Sequence, residues 1–142
     1  MNLNILVVDD EKPSRNKTIR FIKKHRPDAV ITEARDGGEA IEKIASLKPD
    51  LVFLDIQMPG MNGFDVIQQM DMIDMPPVVF ITAFDEYAVQ AFEVQAVDYL
   101  LKPFDFKRFQ IAFNKAFDSG TPYRLILLDM QMPELDGFDV AE

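Results

Sequence analysis

Residues 51–63, LVFLDIQMPGMNG, run from an apolar stretch through one acid into a loop of turn-forming residues. The apolar stretch at 51–54 lies between Pro49 and Asp50 on one side and the breakers after Asp55 on the other, which predicts a short buried strand. Asp55 then stands just past the carboxyl end of a strand, where open α/β sheets bind their ligands. Taken alone, Asp55 is equally well explained as a solvated acid that ends a strand, so its role depends on the rest of the chain.

The composition of the 142 residues fits one soluble domain, with 48% hydrophobic and 27% charged residues. That content is enough to form a hydrophobic core. The sequence has no cysteine, which excludes disulfide and thiol chemistry and suits a reducing compartment. Its first residues lack the basic start of a secretory signal, and no apolar run reaches membrane-spanning length. We therefore expect a cytoplasmic protein with no membrane partner.

The formal net charge of −9 argues against direct binding to nucleic acid, because a phosphate backbone would be repelled. The basic residues are unevenly distributed, however. Seven of the 15 Lys and Arg residues lie between positions 12 and 26, where there is no acid. We interpret this basic segment as a solvated helix face, with a docking surface for a partner as the alternative.

Apolar segments alternate with amphipathic ones along the chain. We predict strands at 3–8, 29–34, 51–54, 78–81 and 97–101, and helices near 13–26, 40–45, 64–73, 85–92 and 106–117. Such alternation indicates a parallel sheet with helices on both faces, because parallel strands need crossover connections. The nearly continuous apolar strands agree with burial on both sides. The predicted fold is a doubly wound α/β domain with a five-stranded parallel sheet, for which we take the common order 2-1-3-4-5.

Polar side chains follow four of these predicted strands: Asp9 and Asp10, Asp55, Thr82, and Lys102. In the order 2-1-3-4-5, strands 1 and 3 are neighbours and the site lies at the switch point between them. Three carboxylates brought together there need raised pKa values or a divalent cation, and hard oxygen ligands suit Mg²⁺. A carboxylate is also a competent nucleophile toward phosphorus. Lys102 would supply a positive charge to phosphoryl oxygens, and Thr82 a hydroxyl donor.

The segments VVDD, LVFLDIQMPGMNG, VVFITA and DYLLKPF, in this order over residues 1–118, resemble a response-regulator receiver domain of two-component signalling, which has a flavodoxin-like fold. The resemblance implies that Asp55 is the phosphoacceptor and that a sensor histidine kinase is the partner. It implies Mg²⁺ as cofactor, held by Asp9, Asp10, Asp55 and the backbone carbonyl of Gln57. It also implies a signalling module that is not an enzyme.

The same resemblance assigns roles to residues at the ends of the last two strands. Thr82 would be the switch hydroxyl, Tyr99 the aromatic switch, and Lys102 the lysine typical of the family, followed by a cis peptide at Pro103. The switch would change the face formed by helix 4, strand 5 and helix 5. Singly, Thr82 and Tyr99 could be ordinary strand residues and Lys102 a plain surface lysine. The run FEVQAVDYLLKPFDFKRF is further similar to receivers that are joined to LytTR-type DNA-binding domains.

Four other residues near these motifs have simpler interpretations. Many receivers carry Asp where this chain has Asn62, and we expect the loop still to turn because Asn tolerates the same conformations. His25, the only histidine, is interpreted as a solvated residue of the basic helix rather than as a phosphocarrier. Met58 and Met61 are interpreted as loop packing, because thioether sulfur is too soft a ligand for Mg²⁺.

Residues 125–140, LILLDMQMPELDGFDV, match residues 51–66 at ten of sixteen positions, so that Asp129 mirrors Asp55. The copy lacks the acidic pair, the threonine and the lysine, and cannot form a second receiver. We predict a receiver domain over 1–118, followed over 119–142 by a linker and this partial repeat. The tail is expected to be loosely packed, or else to exchange its strand with a second copy in a homodimer, with docking in cis ranked last.

Two other classes of protein and one inactive state are alternatives to a working receiver. A phosphatase of the haloacid dehalogenase kind carries a second Asp two residues after its nucleophile, where this chain has Gln57. A flavodoxin-like flavin binder needs a phosphate loop after strand 1, where Asp9, Asp10 and Glu11 would repel a phosphate. An engineered or truncated receiver scaffold, disabled by its tail, remains the alternative to a working switch.

Overall fold

The computed structural model describes residues 3–70 and 75–117. Its elements are, in chain order, β1 Asn4–Val8, α1 Lys12–His25, β2 Val30–Ala34, α2 Gly37–Leu47, β3 Leu51–Asp55, α3 Gly63–Gln69, β4 Val78–Thr82, a 3₁₀ turn Asp85–Tyr87, α4 Ala88–Glu93, β5 Asp98–Leu101 and α5 Phe106–Ala116. The strands form one sheet in the order β2-β1-β3-β4-β5, and all neighbouring strands are parallel. The predicted fold class and strand order are confirmed.

Helices cover both faces of the sheet, and two clusters of buried side chains fill the space between. On one face, α1 and α5 pack on the sheet, where Phe53 stacks on Phe109 at 5.3 Å beside the buried Ile22. On the other lie α2, α3 and α4, and the ring of Phe64 from α3 packs 4.8 Å from that of Phe80 in β4. All residues of β3 and β4 are buried, as expected for central parallel strands.

Some element boundaries differ from the predicted ones. The helix predicted near 64–73 ends at Gln69, because Met70 has extended backbone angles and its N–H donates to the carbonyl of Ile67 in a tightened last turn. The helix predicted near 85–92 begins as a 3₁₀ turn and continues as α4 to Glu93. These differences concern the ends of elements, where sequence patterns are least informative.

The tail lies outside the described residues, which end at residue 117. The linker over 119–122, the repeat over 125–140 and the exchange of its strand in a homodimer therefore stay predictions, as does the boundary after residue 118. In the part of the chain that the structure describes, no helix is both long enough and apolar enough to cross a membrane.

Candidate functional site

Three carboxylates meet at the carboxyl edge of the sheet. Asp9 follows β1 and Asp55 ends β3, and these two strands are neighbours in which Val8 lies opposite Leu54. One oxygen from each of Asp9, Asp10 and Asp55 lies within 4.8 Å of the others. Asp9 is 2% and Asp55 4% exposed, whereas Asp10 is exposed to solvent. The structure thus brings together the three acids that the sequence placed at this edge.

Lys102, which follows the edge strand β5, also reaches this cluster. Its Nζ lies 3.3 Å from Asp9 Oδ2 and 3.5 Å from Asp55 Oδ2. The lysine is fixed at its backbone, since its N–H donates to the carbonyl of Thr82 at 2.7 Å, and the peptide bond to Pro103 is cis, as the resemblance implied. Lys102 is therefore not a plain surface lysine.

The electrostatics of the cluster follow from its burial. Burial raises the pKa of Asp55 to about 7, with a further contribution from the negative charge of Asp9 and an opposing one from Lys102. Burial by itself lowers the pKa of Lys102, but the neighbouring Asp55 and Asp9 carboxylates raise it by more, so that the ammonium stays charged. With a pKa of about 7, Asp55 is only partly ionised near neutral pH.

Thr82 and Tyr99, the two predicted switch residues, contact the same segment between β4 and α4. Thr82 is fully buried, and its Oγ1 accepts a hydrogen bond of 3.2 Å from the N–H of Phe84. The Tyr99 hydroxyl donates to the carbonyl of Phe84 and accepts from the N–H of Tyr87 at 3.3 Å. Burial raises the pKa of Tyr99, which keeps this hydroxyl protonated as a donor.

The loop after β3 is shaped by its own side chains. Asn62 and Asp65 form a reciprocal capping box at the start of α3, with hydrogen bonds of 2.9 and 3.0 Å, so the loop turns as predicted with Asn in place of Asp. Gly63 packs so closely on β3 that an added Cβ would lie 2.8 Å from the carbonyl oxygen of Asp55. Met58 and Met61 pack against the hydrophobic core, which confirms their interpretation as packing residues.

Gln57 is held at both its backbone and its side chain. Its N–H donates to Asp55 Oδ1 at 3.2 Å, and its exposed side-chain amide donates to the hydroxyl of Tyr87 at 2.7 Å. A cleft of about 510 Å³ opens here beside the acidic cluster. Its lining comprises Asp10, Ile56, Gln57, Met58, Pro59, Asn62 and Tyr87. The arrangement therefore offers clustered oxygen ligands, one ammonium group and an adjacent cleft large enough for a small ligand.

Comparison with known proteins identifies this arrangement. The family model of the response regulator receiver domain matches residues 5–114. The chain belongs to the response regulator receiver family. As a receiver, the domain is a signalling module and not a classical enzyme.

Relatives of this receiver domain occur in several bacteria. The sensory transduction protein LytT of Bacillus subtilis is 42% identical over 114 residues, which is 80% of this chain and 47% of LytT. The transcriptional regulatory protein BtsR of Salmonella typhi is 42% identical, again over 80% of this chain and 47% of BtsR. The chain thus spans about half the length of the curated relatives it matches.

Solved structures of receivers share the fold. The response regulatory domain of protein mrkE from Klebsiella pneumoniae is 30% identical, with a TM-score of 0.69 over 81% of this chain and 95% of that domain. The receiver domain of AraT, a response regulator from Geobacillus stearothermophilus, is also 30% identical, with a TM-score of 0.72 over 82% of this chain and 95% of that one.

One prediction about the basic helix of this receiver is wrong. His25, the last residue of α1, is only partly solvated and faces α5, where its ring nitrogens lie 3.0 Å from Asn114 Oδ1 and 3.2 Å from Gln110 Nε2. Its ring also packs edge-on against Phe113 at 4.9 Å. The spacing offered a signal that was missed, since His25 follows the buried Ile22 by three positions and so shares its helix face.

Two ion pairs of the receiver, each with one buried partner, were not predicted. The Arg15 guanidinium donates to the carbonyl of Asp9 at 2.9 Å and to Glu33 at 2.8 Å, which supports the backbone of the acidic cluster. Asp98 accepts both arms of Arg108 at 2.8 Å. Burial by itself raises the pKa of Asp98, but Arg108 and Lys115 lower it by more, so this carboxylate is charged and anchors α5 to β5.

Proposed function

We propose that this receiver is a phosphorylation switch in which Asp55 accepts a phosphoryl group from a phosphohistidine of a sensor histidine kinase. In this step an oxygen of Asp55 attacks the phosphorus and the phosphorus–nitrogen bond breaks. The imidazole nitrogen leaves with the electron pair and takes up a proton. One observation carries the proposal: three carboxylates lie within 4.8 Å of one another, with the ammonium of Lys102 at 3.3 and 3.5 Å from two of them.

The donor set fits Mg²⁺. Three carboxylates beside one lysine leave excess negative charge when all are ionised, and carboxylate and carbonyl oxygens are the ligands that Mg²⁺ prefers. We propose that Asp9, Asp10, Asp55 and the carbonyl of Gln57 hold the ion. Bound there, the ion would neutralise charge on the carboxylates and on the phosphoryl oxygens.

The chain's own residues would complete the site around the phosphorylated Asp55. Lys102, already 3.5 Å from Asp55 Oδ2, would bind a phosphoryl oxygen with its ammonium group. The hydroxyl of Thr82, which accepts from the N–H of Phe84, would turn to donate to a second phosphoryl oxygen. Because Tyr99 bonds to the carbonyl of Phe84, a movement of this segment would reach β5 and change the face formed by α4, β5 and α5.

The test is phosphorylation by acetyl phosphate in the presence of Mg²⁺, followed by intact mass. The parent chain should gain one phosphoryl group and Asp55→Asn none, because the amide is not a nucleophile toward phosphorus. A parent chain that gains nothing would favour the alternative of a scaffold disabled by its tail.

The lack of cysteine suits the reducing cytoplasm, where we propose that the domain works.

A further inference from the structure

We propose that Arg15 is a positioning residue that holds the acidic pair Asp9 and Asp10 in the arrangement that binds a divalent cation. The proposal rests on the Mg²⁺ site of the proposed function. Arg15 lies on α1, outside the proposed ligand set, and its side chain is only 8% exposed. Its guanidinium Nη1 donates to the backbone carbonyl of Asp9 at 2.9 Å, and its Nε donates to Glu33 Oε1 at 2.8 Å.

The carbonyl of Asp9 needs such a partner because it lies beyond the paired part of β1. The pairing of β1 with both of its neighbours ends at Val8. The N–H of Asp9 still donates to the carbonyl of Ala34 at 3.1 Å, whereas the carbonyl of Asp9 accepts the buried hydrogen bond from Arg15. A buried carbonyl without a donor is costly, so this bond favours one orientation of the peptide that joins Asp9 to Asp10.

The two acids differ in how firmly their carboxylates are held. Asp9 Oδ1 accepts from the N–H of Glu11 at 3.0 Å, and Asp9 Oδ2 accepts from Lys102 at 3.3 Å. Asp10 is exposed, and within the described part of the chain no hydrogen bond or ion pair holds its carboxylate. The placement of Asp10 therefore depends on its backbone, and the planar peptide from Asp9 fixes that backbone on one side. Arg15 acts on this exposed ligand through that peptide.

Glu33 fixes the other end of the Arg15 side chain. It lies on β2, in register with Val7 of β1, and its carboxylate accepts from Arg15 Nε. Because the guanidinium is planar and rigid, a bond at Nε also limits the direction of Nη1. One buried side chain thus ties α1 and β2 to the backbone of the acidic pair.

Charge and positioning predict opposite effects of removing this guanidinium. Arg15 places a positive charge beside a cluster of acids, so its charge by itself opposes the binding of a cation. Loss of the charge alone should therefore strengthen Mg²⁺ binding. Loss of a group that orients the ligands should weaken it, by about ten- to a hundredfold in known metal sites. The sign of the change in affinity separates the two effects.

The experiment is a calorimetric titration of each folded variant with Mg²⁺, without phosphodonor, together with its melting temperature in a chelator. Arg15→Met should bind Mg²⁺ about tenfold more weakly than the parent chain. Arg15→Lys keeps the charge but replaces the planar fork by a compact ammonium, and should bind about threefold more weakly. Arg20→Met, at an exposed arginine further along α1, is the matched control for loss of charge and should bind within about twofold of the parent.

The two readouts separate positioning from a purely structural role. A structural role would lower the melting temperature in chelator and leave the Mg²⁺ affinity of the folded domain unchanged. The proposal is overturned if Arg15→Met binds Mg²⁺ as tightly as the parent or more tightly, or if Arg20→Met loses as much affinity. Should Arg15→Met not fold, a parent-like affinity of Arg15→Lys overturns it. A parent chain that binds no Mg²⁺ overturns the metal site of the proposed function, and the role of Arg15 with it.

Discussion

The Nζ of Lys102 lies 3.5 Å from Oδ2 of Asp55, although β4 separates the two strands that these residues end. The same ammonium lies 3.3 Å from Asp9 at the end of β1, so one cation is shared by two buried carboxylates from different strands. With the exposed Asp10 beside them, the acids outnumber the cation by three to one. Burial, with a smaller contribution from the charge of Asp9, accounts for the raised pKa of Asp55, and we expect the stability of the domain to depend on pH for this reason.

Asp55→Asn is expected to stabilise the metal-free domain at neutral and basic pH. Folding raises the pKa of Asp55 from 3.8 to about 7. Between about pH 4 and pH 7 the folded domain therefore holds a proton that the unfolded chain has lost, so the free energy of unfolding falls as the pH rises. A pKa shift of this size corresponds to a difference in unfolding free energy of at most about 4 kcal/mol. We expect Asp55→Asn to gain about 2 kcal/mol, because water at the cleft screens part of the effect. Urea unfolding at about pH 8, with a chelator present, measures the gain.

The pH dependence provides the control for this substitution. At about pH 4.5 the folded parent holds the Asp55 proton, so the parent and Asp55→Asn should differ little in unfolding free energy. A gap of equal size at both pH values would mean that the substitution acts through packing and not through the charge of Asp55.

Mg²⁺ is expected to raise the melting temperature of the parent chain at neutral pH, because the folded cluster binds it and the unfolded chain does not. Mg²⁺ at one hundred times its dissociation constant would stabilise the folded domain by about 2.7 kcal/mol. For a domain of this size, that raises the melting temperature by several degrees. Asp10→Asn should lose most of this rise, whereas Glu42→Gln, at an exposed acid of α2, should retain it. An unchanged melting curve for the parent in millimolar Mg²⁺ would count against the site.

Gly63→Ala is expected to destabilise the domain by about 1–3 kcal/mol, the usual cost of an inserted methyl group that forces backbone to move. The new Cβ would lie 2.8 Å from the carbonyl oxygen of Asp55 and 3.1 Å from Cα of Ile56. Gly38→Ala is the matched control, since its Cβ would meet only Asp36 Oδ1, at 3.6 Å. It should be neutral or slightly stabilising, because Ala favours helix. Equal unfolding free energies for the two variants would refute the close packing of the loop on β3.

The sequence predicted the five alternating strands and the clustering of the acids because both follow from local patterns. Apolar runs that end in Asp9 and Asp55 mark strand ends, and the rules for parallel sheets then bring those ends together. The position of Lys102 could be predicted for the same reason, since DYLLKP ends the fifth strand. The cis peptide at Pro103 came from the resemblance to receivers and not from the residues themselves.

Contacts between elements far apart in the chain were beyond such patterns. Arg15 finds Glu33 and the Asp9 carbonyl only when α1 packs on the sheet, and no local spacing encodes that pairing. The bond between Gln57 and Tyr87 likewise joins two loops whose approach depends on the packing of α3 and α4. The sequence signal at His25 is ambiguous, because its polar side chain indicates solvent whereas its spacing from the buried Ile22 indicates the inner face of α1.

The most direct test of the phosphoacceptor function is intact mass after incubation with acetyl phosphate and Mg²⁺, on the parent chain, Asp55→Asn and Asp129→Asn. Asp129 occupies the matching position of the repeat over 125–140, so it is the natural control for Asp55. We predict one added phosphoryl group on the parent and on Asp129→Asn, and none on Asp55→Asn. No phosphoryl group on the parent, or its loss only in Asp129→Asn, would contradict the assignment of Asp55 as the phosphoacceptor.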